Sequence, residues 1–174
     1  MDISVRRATI ADATALALLA RVTFEDAFGY VWTDKPVLKE YLDTTFSVPK
    51  ITSSLSKTNN SFWIALADGL PVGYAKMKKV SPYKLLEDNK PAQLQKIYML
   101  RNFIGQRIGE RLQSALFDEV RMLGIRTLWL AVWDGNDKAI RFYERHGFQK
   151  TTRYAYDFHS MHFEYEVMTK RFDV

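Results

Sequence analysis

The stretch from Ala92 to Leu123 constrains the fold most, because its hydrophobic period changes along its length. It begins with Leu94, Ile97 and Met99 around Tyr98, a composition that favours a β-strand. Further on, apolar residues recur at helical spacing and predict a helix with one apolar stripe. The stripe consists of Ile108, Leu112, Ala115, Leu116, Val120 and Leu123.

A short loop, Arg101 to Arg107, joins this strand to this helix and is a candidate anion site. It contains Gly105, and Gly109 falls in the first turn of the helix. A glycine there costs about 1 kcal/mol relative to alanine, which predicts a close approach to the backbone. The free N–H groups and the helix dipole favour a negatively charged guest such as a pyrophosphate. An ordinary strand–helix unit is the alternative interpretation.

A second signature follows between Thr127 and Phe148. A buried strand, Leu128 to Val132, leads into a Trp-Asp-Gly turn, and Asn136 is a good N-cap for the next helix. Gly147 ends that helix. The residues on one face of the helix are Ala139, Phe142 and Tyr143.

The pattern N-x-x-A-x-x-F-Y-x-x-x-G-F, preceded by a strand, a glycine-containing loop and a helix, resembles the GNAT family of acetyl-CoA-dependent N-acetyltransferases. The resemblance runs from about Ile3 to Phe172. The runs VTFEDAF and IYM are most similar to the bacterial spermidine/spermine N-acetyltransferase (PaiA-like) branch. The resemblance implies acetyl-CoA as co-substrate and a primary amine as acyl acceptor.

We therefore predict a single α/β domain over residues 1–174, with a twisted mixed sheet of about seven strands and four to five helices. A hairpin is expected at Asp68-Gly69, and a closing strand pair at residues 149–156 and 162–171. The strand order and the splay of the central strands are implied by the resemblance alone.

The resemblance also implies the residues that hold the cofactor. In relatives, backbone groups of the bulged central strand pair with the pantetheine arm, and the loop carries R/Q-x-x-G-x-G/A. Here Ile104 and Arg107 replace the first two motif residues and Gly109 matches the last. Arg107 adds a charge for phosphate or crowds the backbone. The predicted cofactor-binding residues are Ile97, Tyr98, Met99, Ile104, Gly105, Gln106, Arg107, Ile108, Gly109 and Asn136.

Tyr143 is the predicted general acid. A phenol has a pKa of about 10 and a thiol one of about 8.5, so a neutral tyrosine can donate a hydrogen bond to the departing thiolate. Full proton transfer is uphill and needs a tuned site. The alternative is a core tyrosine whose hydroxyl bonds to the backbone.

The general base is not identified by the sequence. Relatives often have a Glu on the central strand, where this chain has Gln93 and Gln95. A water chain is one alternative. The candidates elsewhere are Glu25, Asp26, Asp134 and His159.

The residues at the end of the first helix indicate which substrate the enzyme could bind. Carboxylates and aromatic rings occur together there, as in an amine pocket, and with the branch resemblance they predict a polyamine. Surface acids beside a core aromatic edge are the alternative. The predicted substrate-binding residues are Glu25, Asp26, Tyr30 and Trp32.

Composition excludes several classes. The chain has no cysteine and no apolar run of membrane-spanning length, and its three histidines lack ligand spacing, so we expect a cytoplasmic protein without a metal. Its net charge of +5 suits a polyanionic ligand such as coenzyme A. The sequence lacks a clustered basic helix, so we do not expect it to bind nucleic acid. Monomer and homodimer both remain open. The alternative functions are an acyl-CoA-binding domain with a regulatory or structural role, and acetylation of a protein or peptide amine.

Overall fold

The computed structural model describes residues 1–173 and contains a seven-stranded sheet and five α-helices. The strand order is β1-β2-β3-β4-β5-β7-β6. This confirms the predicted fold class. The elements are β1 (Ile3–Arg7), α1 (Ala13–Phe28), α2 (Lys35–Thr45), α3 (Val48–Leu55), β2 (Asn60–Ala67), β3 (Leu70–Lys78), β4 (Ala92–Met99), α4 (Ile108–Met122), β5 (Thr127–Trp133), α5 (Asp137–Arg145), β6 (Gln149–Phe158) and β7 (Met161–Arg171).

Local signals in the sequence set the element boundaries. The Asp34 side chain accepts a hydrogen bond from the Val37 N–H at 3.0 Å, and Pro36 occupies the first turn of α2. Between β2 and β3, Asp68 and Gly69 have φ values of 47° and 82°, the left-handed conformations that tight hairpin turns require. Both features confirm the predictions made from these residues.

One compact unit comprises residues 1–77 and 96–119. In it, β1 and β2 pair antiparallel with Ile3 opposite Ala67. The first part of the stripe predicted for α4 lies in this unit, where Ile108, Leu112 and Leu116 are fully inaccessible to solvent. The fully buried packing explains why the helical period was so clear in the sequence.

The other compact unit comprises residues 78–95 and the described chain from residue 120 onward. β7 pairs antiparallel with β5 and with β6, which confirms the predicted closing strand pair. Within this unit β4 and β5 form a parallel ladder of two residue pairs, Ala92–Leu128 and Gln93–Trp129. The segment Ile97–Met99 belongs to the first unit and is not part of that ladder.

The end of α4 differs from the prediction. Leu123 was assigned to the apolar stripe, but the helix ends at Met122 and Leu123 is 45% exposed. Gly124 adopts φ 64° there and its N–H donates to the Arg121 carbonyl, so the chain turns away before Leu123 reaches the core. The longest described helix, α1, has 16 residues, and none of the described helices could span a bilayer.

Candidate active site

The loop before α4 presents the first helical turn. The Arg107 carbonyl accepts the Arg111 N–H at 3.1 Å, so Arg107 is the last residue before the turn. The N–H groups of Ile108, Gly109 and Glu110 then have no acceptor within the helix. Ile108 is fully buried and fixes the turn, whereas Ile104 at the start of the loop is 64% exposed. The turn is therefore a rigid set of donors at the positive end of the α4 dipole.

Arg107 lies in an unexpected backbone conformation. Its φ is 59°, and that of Gly105 is 87°. A side chain in this left-handed region costs about 1–2 kcal/mol, so a glycine would suit position 107 better. The physical reason for the motif glycine in relatives is thus visible here. The Arg107 side chain is exposed and bonds to no other group among residues 1–173, so its guanidinium is available to a phosphate.

The end of β4 is held closely by β3. A Cβ atom on Gly73 would lie 2.9 Å from the Tyr98 carbonyl oxygen, and the Leu100 N–H donates to the Val72 carbonyl at 2.8 Å. Only a glycine allows this approach at position 73. Ile97, Tyr98 and Met99 are each half-buried in this arrangement. The close contact fixes the backbone of the segment that the resemblance assigns to the pantetheine arm.

Asn136 and Tyr143 belong to the other unit. The Asn136 Oδ1 atom accepts the Ala139 N–H at 3.2 Å, which confirms the N-cap and leaves the side-chain NH2 group for a ligand. The Tyr143 ring packs against Phe142 and Phe148, with centroid distances of 5.5 and 5.6 Å.

The Tyr143 hydroxyl has no hydrogen-bond partner anywhere in residues 1–173. The alternative interpretation, a core tyrosine whose hydroxyl bonds to the backbone, therefore does not describe this side chain. Burial raises its pKa above the ordinary phenol value. The phenol is thus neutral over the physiological range and can donate a hydrogen bond.

The acids predicted to bind substrate lie at the surface. Glu25 and Asp26 are exposed, and the Asp26 carboxylate lies 3.6 Å from the Arg101 guanidinium, which also donates to the Asp26 carbonyl at 3.3 Å. Tyr30 is 72% exposed. These three residues can meet solvent, but Arg101 neutralises part of their charge.

Trp32 is buried, whereas Glu25 and Asp26 are exposed. It is 6% exposed and packs on Tyr41 and Phe24, with centroid distances of 5.0 and 6.0 Å. This placement is the core aromatic edge that the sequence analysis left open as the alternative. The sequence analysis predicted an amine pocket because these acids and rings occur together at the helix end, but the Trp32 ring is instead buried against the two neighbouring rings.

The two glutamines of β4 have partners, and two of the four candidate bases, Asp26 and Asp134, pair with arginines. The Gln93 Oε1 atom accepts from the Ser81 hydroxyl at 2.9 Å and from the Gln95 side chain at 3.3 Å. Asp134 pairs with Arg153 at 3.0 Å. His159 is exposed at the β6–β7 turn. Residues 1–173 contain no cluster of His, Asp and Glu arranged to hold a metal ion.

Two charged residues inside the first unit escaped the sequence analysis. Glu119 is 8% exposed, accepts from the Ser61 hydroxyl at 2.6 Å and pairs with Arg7. The sequence feature that could have revealed its burial is its position in α4 directly before Val120, on the buried side of the helix. It is a structural ion, because both of its oxygens have partners.

Lys96 is the second. It is half-buried on β4, and its Nζ atom lies 5.7 Å from the Phe46 ring centroid and 6.0 Å from those of Phe24 and Tyr98. Burial lowers the pKa of Lys96 to about 8. The signal was its alternation with Leu94 and Tyr98, which places a lysine on the strand face that carries apolar and aromatic side chains.

Comparisons with known proteins identify the family of this chain. The Acetyltransferase (GNAT) family matches residues 20–148. The chain therefore belongs to the GNAT family of acetyltransferases, enzymes that use acetyl-CoA as co-substrate, as the sequence predicted. It is 24% identical over 138 residues to an uncharacterized N-acetyltransferase of Lactobacillus delbrueckii subsp. lactis, covering 79% of each chain. It is 26% identical to one of Mycobacterium tuberculosis, covering 79% of this chain and 83% of that one.

Solved structures show the same fold. The PaiA N-acetyltransferase from Thermoplasma acidophilum, in complex with coenzyme A, superposes with a TM-score of 0.80 at 20% identity, covering 99% of this chain and all of that one. A ribosomal-protein-alanine N-acetyltransferase from Brucella melitensis superposes with a TM-score of 0.69 at 20% identity, covering 97% and 99%. At these identities the likeness extends to the fold alone.

Proposed function

We propose that this enzyme transfers the acetyl group of acetyl-CoA to the primary amine of a small molecule, by direct attack in a ternary complex with Tyr143 as the acid. The observation that carries the mechanism is the Tyr143 hydroxyl, a neutral donor that no protein group uses. Because the Tyr143 side chain is only half-buried, its hydroxyl is open to a reaction partner as well as to water.

The cofactor is anchored at the start of α4 in this proposal. The pyrophosphate accepts from the first-turn N–H groups of Ile108 and Gly109, and the exposed Arg107 guanidinium adds a charge-assisted contact. The backbone of Ile97 to Met99 pairs with the pantetheine arm and turns one N–H toward the thioester oxygen. The free NH2 group of Asn136 gives a further polar contact to the arm.

Tyr143 acts when the carbon–sulfur bond breaks. The neutral amine nitrogen attacks the thioester carbon and forms the new carbon–nitrogen bond as the carbon–sulfur bond breaks. The nitrogen gives up one proton to water, the acetyl group becomes an amide, and the sulfur leaves as a thiolate. The Tyr143 hydroxyl donates a hydrogen bond to that thiolate. Because its pKa is raised, Tyr143 stays protonated throughout the working range and stabilises the charge even where full transfer is uphill.

A polyamine is the specific acceptor that the sequence predicted, and it stays a prediction. The exposed carboxylates of Glu25 and Asp26 support it, and so does the resemblance of the runs VTFEDAF and IYM to the PaiA-like branch. Each exposed carboxylate is worth about 1 kcal/mol toward a cation at 4 Å in water. The Arg101 contact and the net charge of +5 weigh against it. The likeness to the ribosomal-protein-alanine enzyme supports a protein amine as the alternative acceptor.

Removing the anion site tests the proposal first. We expect the wild type to bind acetyl-CoA with a micromolar or lower Kd in calorimetry, and Gly109→Asp to abolish binding, because the new carboxylate would meet the phosphates in the first turn. Wild-type enzyme should also release free thiol from acetyl-CoA in the presence of a primary amine.

The control for charge is Ser114→Asp, which adds the same charge to an exposed position of α4 beyond the first turn; because Gly109 is buried, the Tm of both variants is measured as well. Ser114→Asp should bind acetyl-CoA like the wild type. Equal binding by Gly109→Asp and the wild type would show that the pyrophosphate lies elsewhere. Binding without thiol release across amines and peptides would favour the regulatory acyl-CoA-binding alternative.

A further inference from the structure

The Lys96 cluster, which we define as Lys96 with the rings of Phe24, Phe46 and Tyr98, encloses a cation without an anion. The Lys96 Nζ atom makes no hydrogen bond and no ion pair with any group in residues 1–173. An ammonium group carries three N–H donors. All three are therefore unused by the protein.

Such a group is unusual inside a protein. Lysine is rarely buried unless it is paired, since withdrawing the charge from water costs free energy. The ring faces compensate weakly, because centroid distances of 5.7 to 6.0 Å are at the outer limit of a cation–π contact. The lowered pKa of Lys96 reports the same uncompensated burial. Lys96 is half-buried and its Nζ atom is not among the buried unpartnered atoms, so water can reach the ammonium group, and an anionic ligand could replace that water and supply the missing charge.

The position of Lys96 suggests which ligand. It directly precedes Ile97, the start of the segment that the proposed function assigns to the thioester arm. Lys96 and Tyr98 are two residues apart on one face of the strand, which places their Cα atoms about 7 Å apart. An acceptor whose amine reaches the thioester at this segment can therefore extend a second group, a few bonds away, to the lysine.

We propose that Lys96 Nζ binds a carboxylate on the acyl acceptor, so that the enzyme prefers amines that also carry an anionic group. This inference rests on the proposed N-acetyltransferase function and narrows its substrate class. The aromatic rings pack on the methylene groups between amine and carboxylate and keep water from the ion pair. The same cation repels a polyamine, which distinguishes this acceptor from spermidine.

Isosteric pairs of amines test the inference. The kcat/KM of the wild type is compared for 5-aminopentanoate against 5-aminopentanamide, and for lysine against lysinamide, with spermidine as a polycation. A charge-assisted hydrogen bond is worth about tenfold or more in affinity, so each carboxylate should be preferred by at least that factor. Lys96→Gln should remove the preference, and Lys96→Arg should keep part of it.

The control variant is Lys57→Gln, which removes the same charge from an exposed turn of the same unit and should keep the preference. Calorimetry with glutarate gives a readout independent of turnover: the wild type should bind it and Lys96→Gln should not. Thiol release without any preference, or a preference that survives in Lys96→Gln, would overturn the inference alone. Absence of thiol release with every amine, together with absence of glutarate binding, would overturn both this inference and the proposed function.

Discussion

Glu119 and Lys96 are both charged side chains inside the first unit, yet they are treated in opposite ways. Glu119 receives hydrogen bonds from Arg7 and Ser61, whereas Lys96 receives only ring faces. A protein that stabilises its fold pairs its buried charges. The paired charge is therefore assigned to structure and the unpaired one to a ligand.

The distinction between groups with and without a protein partner also applies to Asn136 and Tyr143. The Asn136 side-chain oxygen caps the N-terminus of α5, while the NH2 group of the same side chain bonds to no protein group. The Tyr143 hydroxyl likewise has no partner in residues 1–173. A polar group assigned to the site must lack a protein partner, and it must also be accessible to a ligand. The Gln113 side chain is also unpartnered, but it is 1% exposed within α4 and no ligand can reach it.

Breaking the Glu119 pair should have the largest effect on stability. Arg7→Met leaves the buried carboxylate with Ser61 alone, and we expect unfolding free energy to fall by about 3 kcal/mol, at the lower end for a broken buried pair because Arg7 is partly exposed. Urea unfolding measures the loss.

Arg21→Met is the matched control, since Arg21 pairs with Asp43 at the surface and should cost less than about 1 kcal/mol. If the two arginine variants lose the same stability, then Glu119 is not the structural ion that its contacts indicate.

Removing the unpaired charge of Lys96 should raise the unfolding free energy rather than lower it. Lys96→Met keeps the aliphatic packing and removes the desolvated ammonium, so we expect unfolding free energy at pH 7 to rise by about 1–2 kcal/mol. The pKa of Lys96 in the folded protein, about 8, lies below the ordinary lysine value. At pH values between these two pKa values the unfolded chain therefore binds more protons than the folded protein. Wild-type stability should rise with pH from about 8 to about 10.5, and the variant's advantage should vanish there.

Urea unfolding at pH 7 and pH 10.5 provides the check. A Lys96→Met variant that is markedly less stable than the wild type at both values would assign Lys96 to the structure, and the contrast with Glu119 would be lost.

The parts of the fold that the sequence predicted depend on neighbouring residues. Asp34 and Pro36 start α2, Asp68-Gly69 turns a hairpin, and Asn136 starts α5, each through contacts within a few residues. The strand order came from the family resemblance. Nothing in the hydrophobic pattern of β5 shows which strands flank it.

The site was predicted less completely because its missing parts depend on distant contacts or on backbone conformation. Glu119 and Arg7 are 112 positions apart in the chain, and two of the three rings around Lys96 come from α1 (Phe24) and from the residue after α2 (Phe46). The left-handed φ of Arg107 could be suspected only from the glycine that the resemblance implies at this position, since arginine itself disfavours that conformation. Trp32 looked like a pocket residue until its packing on Tyr41 placed it in the core.

Tyr143→Phe tests most directly the claim that unpartnered polar groups serve the reaction rather than the fold. The variant removes one hydroxyl and keeps the ring between Phe142 and Phe148. Turnover and Tm are measured on the same preparation. We predict that turnover falls by roughly 10²-fold or more, while acetyl-CoA binding is kept and Tm is not lowered, because the hydroxyl bonds to no protein group. Unchanged turnover with a lowered Tm would contradict the account.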